Sequence, residues 1–196
     1  MKNIIPKDTR YIPFVQQHAC CVPTSISVIM YKNGIPLVSQ ELLGYHLGLI
    51  LDKEHKNLFW NVSIGKRQPT GYGNSLYHSK YHINLAFKKL NIPLSTIEYK
   101  ISSFKDKEDL IDFINKKILE NKDLMVFLAS DVLNDTNNKN GHACVIDRIY
   151  PTKNMIRLVD PSAVQAKWRE IKINKFIKAV KSHPTGNGRF LEFKKI

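Results

Sequence analysis

Two glutamines, Gln16 and Gln17, stand just ahead of a cysteine pair, Cys20-Cys21, and the pair opens into Val22-Pro23-Thr24-Ser25-Ile26-Ser27-Val28-Ile29-Met30. A thiol becomes a strong nucleophile as its thiolate, and the positive end of a helix dipole favours that anion. Val22-Pro23-Thr24-Ser25 suits a helix entrance, because proline in the first turn lacks an N–H that no helical carbonyl would have accepted. A backbone N–H at such an entrance, together with an upstream side-chain amide, can hold an oxyanion. A thiolate of this kind also needs a base and a group to orient that base. Gly141-His142 and Asp160-Pro161 supply both types further along the chain.

Those residues must be carried by elements that bring them together. Residues Thr24 to Tyr31 read as an apolar helix stopped by Asn33-Gly34, a common C-terminal signal. Ser39 then caps a second helix, expected over Gln40 to Leu51 with Leu42, Leu43, Leu47, Ile50 and Leu51 as its apolar stripe. Tyr81 to Leu90 and Lys107 to Glu120 read as further helices, with a strand at Thr96 to Ile101 between them. Leu124 to Ala129, His142 to Tyr150, Met155 to Asp160 and Arg189 to Phe193 read as strands, and Ile173 to Val180 as a helix. Lys153-Asn154 supplies a hairpin turn, and Asp131 to Gly141 is expected to be a polar loop. His142 near the start of one strand and Asp160 at the end of its hairpin partner can lie side by side. The imidazole would take the proton of Cys21, and the carboxylate would hold its tautomer and support its charge.

Composition sets the outer bounds. The 196 residues, 43% hydrophobic and 24% charged, suit one domain with a sizeable core, expected over residues 1–196. No apolar run approaches the roughly 18 residues of a membrane span, and the first residues lack a secretory signal's apolar stretch, so the expected location is cytoplasmic. Lys plus Arg number 30 against 17 Asp plus Glu, a net charge of +13. The lysines are spread along the whole chain without a nucleic-acid-binding motif, which reads as solvated surface rather than a specific nucleic-acid partner. Three cysteines do not make a disulfide framework, and free thiols are expected.

In combination, Cys21-Val22-Pro23-Thr24-Ser25-Ile26, Gly141-His142 and Asp160-Pro161, in that order, resemble the papain-like cysteine peptidases. Within that group the pattern is most similar to the bacteriocin-processing (double-glycine-leader) peptidases and their peptidase thirty-nine-like relatives. The resemblance implies an α+β papain-like fold, with an N-terminal helical part carrying the nucleophile packed on an antiparallel sheet carrying His and Asp. It implies Cys21 as nucleophile, since the Pro-Thr-Ser match is lost if Cys20 takes that role. It implies a glutamine as oxyanion donor, assigned to Gln16 with Gln17 as its substitute. The family's usual glutamine position is occupied here by Val15, and glycine is frequent in the family where Val22 follows the nucleophile.

The reading that follows is a thiol hydrolase acting on a peptide or isopeptide bond, with a peptide or protein as substrate and no cofactor. Two alternatives stand beside it: a thiol acyl-transferase using the same triad, and a non-catalytic binding module on the same fold with an anionic partner. A metal centre is not expected, because the adjacent cysteines and His142-Ala143-Cys144 lack the usual spacing of zinc ligands. Cys144 is assigned to core packing beside the histidine. Trp60, Tyr72 and Tyr77 lie in a long aperiodic segment, residues 52–79, and are candidates for a substrate cleft. Substrate identity and oligomeric state are not encoded in any motif.

Overall fold

A computed structural model describes residues 8–51, 54–55, 63–64, 74, 76, 78–137, 140–164, 166–186 and 188–196. Six helices and eight strands follow one another as α1 (Cys21–Lys32), α2 (Gln40–His46), β1 (Ile50–Leu51), β2 (Ser63–Ile64), α3 (Ile83–Lys89), β3 (Leu94–Lys100), α4 (Lys107–Leu119), β4 (Asp123–Ala129), α5 (Ser130–Asn134), β5 (Gly141–Tyr150), β6 (Met155–Asp160), β7 (Lys167–Lys172), α6 (Ile173–Lys181) and β8 (Arg189–Lys195) among the described residues.

The main sheet has the order β3-β8-β4-β5-β6-β7, and every neighbouring pair in it is antiparallel. Helices cover both of its faces. On one face Val22, Ile26 and Ile29 of α1, Leu43 of α2 and Phe87 of α3 pack against Met125, Phe127, Ala143, Val145 and Leu191. On the other, Leu110 and Ile114 of α4 and Phe176 and Val180 of α6 pack against Val126, Leu128, Cys144, Ile146 and Phe190. Side chains alternate between the two faces along each strand. This is why β4 and the middle of β5 read as unbroken apolar runs instead of alternating ones: both faces are dry. Each fully buried aliphatic side chain contributes about 1.5–3 kcal/mol. Val22, Ile26, Val28, Ile29 and Met30, all buried on α1, therefore hold the helix firmly on the sheet.

Three expectations need correction. The second helix stops at His46, not Leu51, because Gly48 turns left-handed at φ +68° against the ring of Tyr81. Ile50–Leu51 then pairs in parallel with Ser63–Ile64, and Leu42, expected in the apolar stripe, is exposed. The loop expected from Asp131 starts instead with α5, whose C-cap Asp135 lies at φ 55°. Between Asp160 and α6 runs a strand without an apolar signature, β7, at the edge of the sheet. Its lysines and arginine suit an edge, where charge discourages pairing with a second chain.

The chain ahead of α1 is strapped to the sheet. Asp147 is a bulge residue in β5, where the β5–β6 register shifts between Ile146 and Arg148, and it is wholly buried. Its carboxylate accepts from the Arg10 backbone N–H at 2.8 Å and from Arg157 Nε at 2.6 Å. Tyr11 Oη donates to Asp123 Oδ1 at 2.6 Å, which fixes the run that leads into Gln16.

Candidate active site

The approach to α1 is a tight turn. The Cys20 N–H donates to the Gln17 carbonyl at 3.0 Å, and Ala19 within that turn has φ 56°, a left-handed conformation that costs an L-residue about 1–2 kcal/mol. Gln40 clamps the turn from α2. Its Oε1 accepts from the Gln17 N–H at 2.7 Å and lies 2.8 Å from the Thr24 hydroxyl, while its Nε2 donates to the Val15 carbonyl at 2.9 Å. The helix so anchored has Cys21 as its first residue, half-buried, with Pro23 in the first turn.

The Cys21 sulfur meets the imidazole of His142 and the backbone N–H groups of Ala143 and Val22. Burial pushes the thiol up, but the hydrogen bond and charge of His142 with those N–H groups outweigh it, so its pKa lies below the ordinary thiol value. Helix α1 is fixed to the histidine's strand next door, with the Ser25 hydroxyl donating to the Ala143 carbonyl at 3.3 Å.

His142 Nε2 lies 2.8 Å from Asp160 Oδ1, and both side chains are largely buried. With Nε2 given to the carboxylate, Nδ1 is the ring's other nitrogen, and the sulfurs of Cys21 and Cys144 both hydrogen-bond the imidazole. Burial opposes the charged imidazole, while Cys144, Asp160 and Cys21 favour it, and the outcome is a pKa well above the ordinary histidine value. Cys144 is itself pushed up by burial and is a thiol at neutral pH, so the charges that stabilise the imidazolium are those of Asp160 and Cys21. Burial would also raise Asp160; its hydrogen bond to His142 and the charges of His142, Arg169 and Lys167 bring it below the usual carboxylate value.

The expected residues thus fall into groups. Cys21, His142 and Asp160 come together. Gln16 reaches the same corner, its N–H donating to the Pro161 carbonyl at 3.2 Å. Its Oε1 is buried and has no hydrogen-bond partner among the described residues. Gln17 is exposed. Cys20 is buried against Leu49 and Leu51, and burial pushes its thiol up to about 12. Trp60, Tyr72 and Tyr77 lie outside the described residues. A cavity of about 260 Å³, lined by Leu76, His82, Glu98, Phe127, Arg189 and Leu191 among others, opens along the sheet. Phe127 is the cross-strand partner of Ala143, the residue after His142.

Metal-ligand types do meet here: donor atoms of His142, Cys144 and Asp160 lie within 4.8 Å of one another. The geometry is that of a hydrogen bond. Nε2 and Oδ1 at 2.8 Å are closer than the roughly 3.3 Å between two ligands on a tetrahedral zinc with bonds of about 2.0 Å. Arg169, its Nε 3.3 Å from Asp160 Oδ2, adds a positive charge where a cation would have to sit. Arg169 is the contact that sequence reading overlooked, because its strand carries no apolar signature.

A helix presenting a cysteine at its first turn against an antiparallel sheet that carries histidine and aspartate on adjacent strands is the papain-like fold. Two solved structures share it with this chain. One is a Bacillus anthracis protein described as a C39-like peptidase, with a TM-score of 0.59 and 19% identity over 94% of this chain and 95% of that one. The other is the peptidase domain of Streptococcus ComA, a bifunctional ABC transporter of a quorum-sensing pathway, with a TM-score of 0.51 and 18% identity over 92% and 96%. No protein-family model matches the sequence, and no curated protein matches it.

Proposed function

We propose that this protein is a cysteine peptidase that cleaves a peptide or isopeptide bond through Cys21, His142 and Asp160. The observation that carries the reading is a buried imidazole held at 2.8 Å by Asp160 through Nε2 while it hydrogen-bonds the sulfur of the first residue of α1. The fold shared with two structures described as peptidases supports it.

In the reaction, His142 takes the thiol proton and the Cys21 thiolate attacks the carbonyl carbon of the substrate. The carbonyl oxygen becomes an oxyanion, held by the Gln16 side-chain amide and a backbone N–H at the start of α1. Collapse breaks the C–N bond, the amine leaves with the proton from His142, and a thioester remains on Cys21. Water, deprotonated by His142, then attacks the thioester and releases the acid, and the proton returns to the thiolate. Asp160 keeps its charge throughout and stabilises the imidazolium.

The test is the pH dependence of alkylation by iodoacetamide, with the modified residue located by mass spectrometry. The expected result is labelling at Cys21 with an inflection well below the free-thiol value of about 8.5, abolished in Cys21→Ala. Faster labelling of Cys20 or Cys144, or an inflection at or above the free-thiol value, overturns the reading.

A further inference from the structure

Asp160 uses its two carboxylate oxygens on two different partners: Oδ1 on His142 and Oδ2 on Arg169. It is 2% exposed. A carboxylate so buried is costly to keep charged unless each oxygen has a partner.

Arg169 comes from β7, where it sits opposite Leu158, two residues before Asp160 on β6. Two residues apart on one strand share a face, so the guanidinium lies diagonally beneath the carboxylate. Its other nitrogens are also taken. Nη1 donates to the Leu133 carbonyl at 3.4 Å and Nη2 to Asn134 Oδ1 at 2.8 Å, both at the end of α5. A planar fork with three fixed contacts cannot turn without breaking two of them.

We infer that Arg169 is a positioning residue of the proposed triad: anchored to α5, it fixes the rotation of the Asp160 carboxylate and so aims Oδ1 at His142. The inference rests on the peptidase reading and deepens it. The other groups facing the carboxylate are His142 and Cys144 on β5 and Lys167, its partner on β7, with the Cys21 sulfur beyond the imidazole. Lys167 also favours the charged carboxylate, but the ladder places it opposite Asp160, and among the described residues its ammonium forms no ion pair with either oxygen. Charge alone is therefore shared between two side chains, while orientation falls to Arg169.

The experiment measures the pH profile of Cys21 alkylation in Arg169→Met, Arg169→Lys and Asn134→Ala, and in Asp160→Asn with and without Arg169→Met. In Arg169→Met the acid limb should move to higher pH by about one unit, and the plateau rate should fall about tenfold. Arg169→Lys keeps the charge and loses the fork, so it should restore the acid limb more fully than the plateau rate. Asn134→Ala removes one anchor and should give a smaller loss in the same direction; it serves also where Arg169→Met does not fold. In the Asp160→Asn background, Arg169→Met should cost less than twofold further, because its effect passes through the carboxylate. Wild-type profiles in folded Arg169→Met or Asn134→Ala, or full additivity with Asp160→Asn, overturn the inference while leaving the wild-type inflection intact. A wild-type protein that shows no low inflection at Cys21 removes the peptidase reading itself.

Discussion

The backbone N–H of Gln16 donates to the carbonyl of Pro161 at 3.2 Å, so the run that leads into α1 is tied to the residue that follows Asp160. The proposed oxyanion side of the site and its carboxylate side are thereby one assembly, although 144 positions separate Asp160 from Gln16. The bond uses main-chain atoms, so Gln16→Ala should preserve it. That substitution removes only the side-chain amide, whose loss at an oxyanion site costs about a hundred- to a thousandfold in turnover. Peptide turnover should fall accordingly while Cys21 alkylation keeps its pH profile. Gln17 is exposed and takes part through its backbone, so Gln17→Ala should change turnover less than twofold. The reverse ranking of the two variants would move the oxyanion role to Gln17.

In the proposed triad His142 sets the reactivity of Cys21. Burial alone would raise that thiol; the imidazole's hydrogen bond and charge bring it down. In His142→Ala the lowering partner is gone and much of the burial remains. The inflection of Cys21 alkylation should then cross from below the ordinary thiol value of about 8.5 to above it. Cys20, with its thiol at about 12, and the buried Cys144 should remain unlabelled at neutral pH in both proteins. Site-resolved mass spectrometry across pH separates the three sulfurs.

Much of this assembly was legible in the chain. Met155 to Asp160 is the strand its alternating and apolar residues forecast, and α4, β4 and β5 agree with expectation to within one residue at their described ends. What escaped has a physical cause in each case. Lys167–Lys172 lies at the edge of the sheet, mostly outside the core, so its residues carry the composition of a solvated loop. α5 is five residues long and rests on tertiary contacts, since so short a segment has almost no helical stability alone. Arg169 could be found only by knowing that β7 pairs with β6, a long-range fact that local periodicity does not contain. Burial of the sheet on both faces, by contrast, is foreshadowed by the unbroken apolar run Leu124 to Ala129.

Ala19 holds its left-handed conformation one residue before the helix N-cap. Glycine has no such cost there, but it adds conformational entropy to the unfolded chain worth about 0.4–1 kcal/mol. Against the roughly 1–2 kcal/mol of left-handed strain, Ala19→Gly should stabilise by about 0.5 kcal/mol. A β-branched side chain tolerates this region least, so Ala19→Val should destabilise by at least about 1 kcal/mol. Denaturant midpoints of the two variants should therefore shift in opposite directions, and a turn that simply relaxes to negative φ would give no difference in sign.

His183 stands behind the strand that carries His142. Its Nε2 lies so close to Gly141 that a Cβ there would come within 2.8 Å of it. Its Nδ1 lies 3.0 Å from the Thr185 hydroxyl and 3.4 Å from the Thr185 N–H, and accepting from that N–H requires an unprotonated Nδ1. Burial, with the charge of Arg189 added, lowers its pKa to about 4. The unfolded chain binds a proton near pH 6.5 and the folded one only near 4, so stability is intact above about 6.5 and declines as pH falls through that interval. A separation of about 2.5 units corresponds to roughly 3 kcal/mol lost by pH 4. His183→Gln should flatten this part of the stability curve between pH 6.5 and 4, while the carboxylate-linked losses at lower pH remain. Urea melts at half-unit pH steps read the difference, and parallel curves for the two proteins would mean that His183 is protonated in the folded state.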